Sequence, residues 1–334
     1  MVSFWYDWLL FLSPPVLALL AGIFISGSTF TKEHFLFWDQ KYTGAGLFLG
    51  IIIHAHLVAV FFRSHANKYI FQQHRLRFLL VPLCVWGLMN LSPWLLVTGS
   101  VVATFWDVYH SGAQTFGFAR IYDSKAGNHP LEGRRLDFWI NQLLYAGPIL
   151  AGVSMMDHFG DFNEYKDVGD IFFLSIPPWM QSHHAYFTWA VVVGGSAFVV
   201  YYIYAYWRLA KLGHTISWIK IYLLSSTGVV SIYTWGFNSW GESFFIMNIF
   251  HAVQYFGIVW ALEKRSIVSV FGLKKSSYAK PAALILFLLC TGAYGYWVQA
   301  LNTDYTMLWS ITLTVSLMHF WYDGFVWSVR KAEL

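Results

Sequence analysis

"WLLVTGSVVATFWDVYHSGAQTFGFARIY", residues 94–122, decides how the rest of the chain is read. From Trp94 to Trp106 it carries no charge. Asp107, His110 and Gln114 then follow at spacings of three and four, and Arg120 closes the apolar stretch. Residues so spaced share one face of a helix. A helix over 94–119 is long enough to cross about 30 Å of hydrocarbon. The stretch therefore reads as a membrane helix with a carboxylate, an imidazole and an amide on a single stripe.

Composition carries that reading outward. Of 334 residues, 57% are hydrophobic, 20% aromatic and only 11% charged, against about 25% charged in soluble domains. Runs of spanning length lie at 8–26, 44–62, 76–92, 94–119, 138–156, 185–207, 216–237, 243–262, 281–301 and 305–329. The expected fold is an all-α polytopic integral membrane protein of about ten transmembrane helices, forming one membrane domain over 1–334. The first run has no basic residue before it and contains Pro14 and Pro15, so it reads as a retained helix rather than a cleaved signal. Cys84 and Cys290 both lie in apolar runs, which argues against a disulfide framework or a thiolate metal site.

Ten spans place alternate loops on opposite sides. Arg63, Lys68, Arg75 and Arg77 follow the second span, and Arg120, Lys125, Arg134 and Arg135 the fourth. Arg208, Lys211 and Lys220 follow the sixth; Lys264, Arg265, Lys274, Lys275 and Lys280 the eighth; Arg330 and Lys331 the tenth. Only Lys32, Lys41 and Lys166 fall elsewhere. By the positive-inside rule the basic side is cytoplasmic and holds both termini; in a bacterium the membrane would be the cytoplasmic (inner) one. The other side collects Asp157, Asp161, Glu164, Asp167 and Asp170 in the loop 157–184, which reads as a short outer cap. The net charge of +4 thus reports sidedness, and no nucleic-acid partner is expected.

Five of thirteen histidines fall well inside spans: His54, His56, His110, His251 and His319, together with Asp107 and Asp323. A charged side chain costs about 2.5–3.5 kcal/mol at mid-membrane on insertion scales, so such residues face the bundle and have partners. His56 is seven residues from Arg63, His110 ten from Arg120, His251 thirteen from Lys264 and His319 eleven from Arg330. At 1.5 Å per residue these lie in one slab, on the order of 10–20 Å from the basic side. Four helices that run in the same direction thus bring imidazoles to similar depth. His54 and His56 stand about 200° apart on a regular helix, so one of them faces the others. Asp107-x-x-His110 and His319-x-x-x-Asp323 pair imidazole with carboxylate, and His251-x-x-Gln254 pairs it with an amide, Asn248 lying one turn earlier.

A lone buried histidine is more often a hydrogen-bonded core group than a ligand. Agreement in depth across four helices favours a metal site built from His54, His56, Asp107, His110, His251, His319 and Asp323. Asp107 and Asp323 serve there as ligands, acid–base groups or orienting partners. Gln114, Asn248 and Gln254 are expected in an outer layer of hydrogen bonds. The loop histidines His65, His74, His129 and His214 are expected to be solvated, and His34, His158, His183 and His184 to lie toward the outer side. Imidazole with carboxylate and no thiolate suits one or two non-haem iron atoms, and by ligand type also zinc, copper or manganese. Aromatic-dense stretches such as "YYIYAYW" and "HFWYDGFVW" are suited to line a channel for a long apolar substrate, and equally to core packing.

These residues resemble, in ligand type and membrane burial, the Brp/Blh family, membrane proteins that cleave β-carotene to retinal. They are also similar in character to integral-membrane desaturases and hydroxylases, although the histidine boxes of those enzymes are missing and the one HH pair, His183-His184, falls on the opposite side. The resemblance implies a membrane-bound oxygenase that uses dioxygen on a carotenoid, fatty acyl or isoprenoid substrate, with a separate electron-donor protein if electrons are needed. Two alternatives stay open: a proton- or ion-coupled transporter with the His/Asp cluster as relay, and a haem- or pigment-binding structural subunit.

Overall fold

The computed structural model describes residues 1–152, 154–169, 171–301 and 306–327. Asp170, Arg330 and Lys331, with the ends of the tenth expected span at 305 and 328–329, lie outside the described residues. In chain order the elements are helix α1 (Pro14–Ile25), strands β1 (His34–Phe37) and β2 (Gln40–Thr43), then helices α2 (Gly44–Ser64), α3 (Lys68–Leu91), α4 (Pro93–Lys125), α5 (Arg134–Ala151), α6 (Ile171–Ser182), α7 (Gly195–Lys211), α8 (Trp218–Phe237), α9 (Trp240–Val270), α10 (Ala279–Ala300) and α11 (Thr306–Val326). Helical residues Phe4–Leu12 precede α1 at a bend of 48°, where Pro14 and Pro15 remove two backbone donors. Helical residues from His184 lead into α7 through a π turn at Ala190–Gly194.

Each expected run is helical over most of its length among the described residues, the fifth ending at Ala151. Among the described residues, four helices are long and apolar enough to cross a membrane: Gly44–Ser64, His184–Lys211, Gly241–Val270 and Ala279–Ala300; the bent N-terminal pair makes five. The other expected spans do not reach that standard, and their polar content shows why. α8 buries Thr227, Ser231 and Thr234, and α11 buries Ser310, Thr312 and Thr314. Several of these hydroxyls are satisfied inside the helix: Thr234 donates to the Val230 carbonyl at 2.7 Å, and Thr314 to that of Ser310 at 2.7 Å.

Several boundaries differ from expectation: α9 runs to Val270, past Lys264 and Arg265, and α5 starts at Arg134 and ends at Ala151. Lys68, Arg75 and Arg77 belong to α3 rather than to a loop, because Asn67 caps the helix early, its side chain accepting from the Tyr69 and Ile70 amides. α3 then bends at His74 (φ −125°, ψ 21°), so His74 is part of a helix, with its ring 4.8 Å from that of Phe325. α4 likewise continues past Arg120 to Lys125.

The chain forms two compact units, Met1–Gly22 with Thr104–Met247, and Ile23–Ala103 with Asn248–Leu334. In the second unit, α10 lies along α2, and α11 packs on α2 and α3. The α2–α10 approach depends on Gly295, where an added Cβ would run into the Ile51 carbonyl oxygen. Backbone cannot swing aside as a flexible side chain can, so Gly295→Ala should destabilise by about 1–3 kcal/mol, measurable as a lowered unfolding midpoint in detergent. β1 and β2 form a hairpin through Trp38 and Asp39, both at positive φ. The hairpin is tied to the end of α10 by Gln40, which donates to the Leu301 carbonyl at 2.7 Å.

In the first unit α5 packs against α8 and α7, around a buried ionic network. Arg120 bonds Asp123 at 2.8 Å and also Asp137. Lys220 lies 2.8 Å from Asp123 and 3.4 Å from Asp137, whose other oxygen accepts from Tyr202 (2.8 Å) and Tyr206 (2.6 Å). His214, expected in a solvated loop, is instead buried in this network. Its Nδ1 is 3.0 Å from Glu132 and its Nε2 3.5 Å from Asp123. The loop folds inward because carboxylates from two other segments require partners.

His158, expected on the outer side, is buried on the Trp235 ring (5.0 Å), with Nδ1 3.1 Å from the Ser154 carbonyl. Burial pushes its pKa down to about 4 from 6.5, so the folded state keeps it neutral. The unfolded chain binds more protons between those values, and stability is lost as pH falls from about 6.5 toward 4. His158→Gln is expected to flatten that loss, read as unfolding midpoints at pH 7 and pH 5.

Candidate metal centre

Three helices of the second unit bring imidazoles together. His56 on α2, His251 on α9 and His319 on α11 are at most 1% exposed. The His56 ring meets those of His251 and His319 edge-on at 5.0 Å and 5.1 Å. The Nδ1 of His319 is 2.9 Å from the Leu57 carbonyl. With the proton on Nδ1, the lone pair is left on Nε2, the tautomer a metal ligand needs.

One ring nitrogen from each of His56, His251 and His319 lies within 4.8 Å of the others, so these three buried histidines could hold a metal ion. His110 of α4 is also buried, in the first unit.

The alternative left open between His54 and His56 resolves cleanly. His56 joins the group, while His54 turns away toward α10, its Nδ1 2.8 Å from the Gly50 carbonyl and 3.2 Å from the Gln299 amide nitrogen. Asp323 lies beside the group, 3.8 Å from the Nε2 of His319. Its Oδ1 accepts from the Tyr255 hydroxyl at 2.9 Å and from the Trp327 indole at 2.7 Å. Asp107 is half-buried on α4, in the first unit. Asn248 and Gln254 are buried on α9, and Gln114 is half-buried on α4. His183 and His184 do not join the group.

Sequence reasoning missed two groups of residues. Tyr255, one turn after His251, rests 4.6 Å from the His319 ring and 5.9 Å from that of His56; its i+4 spacing was the available signal. The other is a lock at the ends of the same helices. Arg63 of α2 pairs with Glu263 of α9 and donates to the Val326 carbonyl of α11 at 3.0 Å. Asn67 adds bonds of 3.1 and 3.0 Å to both Glu263 oxygens. Arg63 and Glu263 are buried, so Arg63 is not a solvated marker of sidedness.

The fold and site define a helical protein with candidate membrane spans and a buried all-imidazole group able to hold a metal. Comparison with protein-family models, with curated proteins and with solved structures finds no match to this chain.

Proposed function

We propose that this chain is a multi-pass membrane metalloprotein of ten spans with cytoplasmic termini, and that it uses non-haem iron and dioxygen to oxidise a lipid-soluble substrate. The observation that carries this reading is the convergence of three buried imidazoles, from helices α2, α9 and α11, within 4.8 Å. Grouping imidazoles in an apolar interior has no packing advantage over aliphatic side chains, and it is the arrangement that borderline metals require. Thr234 of α8 and Thr314 of α11 bond within their own helices, which is compatible with a membrane although the composition of those helices is mixed.

In the proposed site His56, His251 and His319 would hold the ion. Bound iron would supply redox chemistry with dioxygen. The protein's part is to fix the imidazole tautomers, as the Leu57 carbonyl does for His319, and to keep water out with Tyr255, Phe250 and Phe320, all at most 5% exposed. Asp323 holds Tyr255 and Trp327 in place beside the ligands. The substrate class follows from the apolar surroundings and from the resemblance to carotene-cleaving and desaturating membrane enzymes.

Elemental analysis of detergent-purified protein, beside a visible spectrum, tests the reading. One iron per chain without a Soret band is the expected result, and carotenoid and fatty-acyl substrates would then be assayed with oxygen. Zinc or copper in that stoichiometry would keep the metal site and replace the iron. Absence of stoichiometric metal after reconstitution would overturn the metal reading and turn the histidines and Asp323 into a proton pathway.

A further inference from the structure

A second site lies in the unit formed by residues 1–22 and 104–247. α7 and α8 line a groove of about 500 Å³, to which α5 contributes Ile140 and Leu144, a volume in the range of small-molecule sites. Along α7 the lining positions run from Val199 to Trp207, and along α8 from Ser217 to Ile232. Fifteen residues of α8 make the groove about 22 Å long, the proportions of an extended hydrocarbon chain rather than of a compact metabolite. Its walls are almost entirely aliphatic and aromatic.

One end differs. Tyr202, Tyr206, Ser217 and Lys220 line it, and the buried network described above holds them still. Both tyrosine hydroxyls are committed to Asp137, and the Lys220 ammonium lies 2.9 Å from the Tyr206 hydroxyl. This end of the groove is therefore preformed, with its internal charges already paired. Beside it, the last turn of α7 presents Arg208 and Lys211, both exposed. Lys211 sits 3.7 Å over the ring of Trp207, a lining residue, and neither cation has a carboxylate partner among the described residues. The groove thus pairs a long apolar trough with two uncommitted positive charges at its mouth.

We infer that this groove binds one anionic glycerophospholipid, with an acyl chain along α8 and the phosphate at Arg208 and Lys211. The charge pattern selects the head group. Basic residues at a membrane surface each favour anionic lipid by about 1 kcal/mol, or roughly 5-fold, so two predict about a 25-fold preference over a zwitterionic lipid. The inference rests on the membrane reading of the chain and is independent of the metal.

Native mass spectrometry of the full-length protein, exchanged into nanodiscs of equal phosphatidylglycerol and phosphatidylcholine, tests it. Wild type should release carrying one phosphatidylglycerol, with the 25-fold preference. Ser225 lines the groove and is exposed, so Ser225→Trp should fill the trough and reduce retained lipid to background. Arg208→Gln with Lys211→Gln changes only exposed residues, and should retain lipid while the preference falls to within about two-fold. Equal retention of the two lipids by wild type would overturn the inference, as would an undiminished phosphatidylglycerol adduct in Ser225→Trp. If Ser225→Trp does not fold, the double variant decides alone: an unchanged preference overturns the head-group assignment. Metal content, read in the same spectra, should be the same in all three proteins, so failure here is separable from failure of the metal site.

Discussion

Alanine at His56, His251 or His319 should each leave the purified protein without stoichiometric metal. A three-imidazole site that loses one ring loses a third of its protein ligands. Outer partners of metal ligands typically contribute 10–100-fold in affinity, so loss of a ligand should exceed 100-fold. Asp323→Asn and Tyr255→Phe should fall within that 10–100-fold range, because Asp323 touches His319 only at 3.8 Å and is held by Tyr255 and Trp327. His54→Ala, which alters a ring turned toward Gln299, should keep its metal. Chelator titration against each purified variant measures the series. Metal retained in His56→Ala, His251→Ala and His319→Ala alike would remove the site.

The second large effect concerns stability. Asp137→Ala should cost about 3–5 kcal/mol, because it leaves Arg120 and Lys220 to share Asp123 and strips two tyrosine hydroxyls of their acceptor. The physical cause is a buried charge without compensation rather than the loss of attraction itself. Removing charges of both signs should therefore be milder: Asp137→Leu combined with Lys220→Met is expected to be more stable than Asp137→Ala alone. Equilibrium unfolding in mixed micelles orders the variants. A loss below 1 kcal/mol for Asp137→Ala would show that the network is hydrated and not buried.

Much of this site was legible along the chain because helical spacing and depth are one-dimensional quantities. His251 and His319 could be placed by counting from basic residues, and the 200° separation of His54 and His56 required that only one of them face inward. Pairings across segments were beyond reach. Nothing near Arg120 announces Asp137 or Lys220, which lie 17 and 100 positions away, so both cations were counted as surface markers. The β1–β2 hairpin escaped because its Trp38-Asp39 turn lacks the Asn-Gly or Asp-Gly signature of such turns.

The lock formed by Arg63, Glu263 and Val326 works as a datum line. One guanidinium touches α2, α9 and α11 near one end, and these are the helices that carry His56, His251 and His319. From that line the histidines stand seven, twelve and seven residues away, and each distance is fixed by a rigid helix. A slip of one helix by a single residue moves its imidazole by about 1.5 Å, far outside the tolerance of a metal–nitrogen bond of about 2.1 Å. The spacing of the imidazoles is thus referred to a contact some 10 Å or more away along each helix.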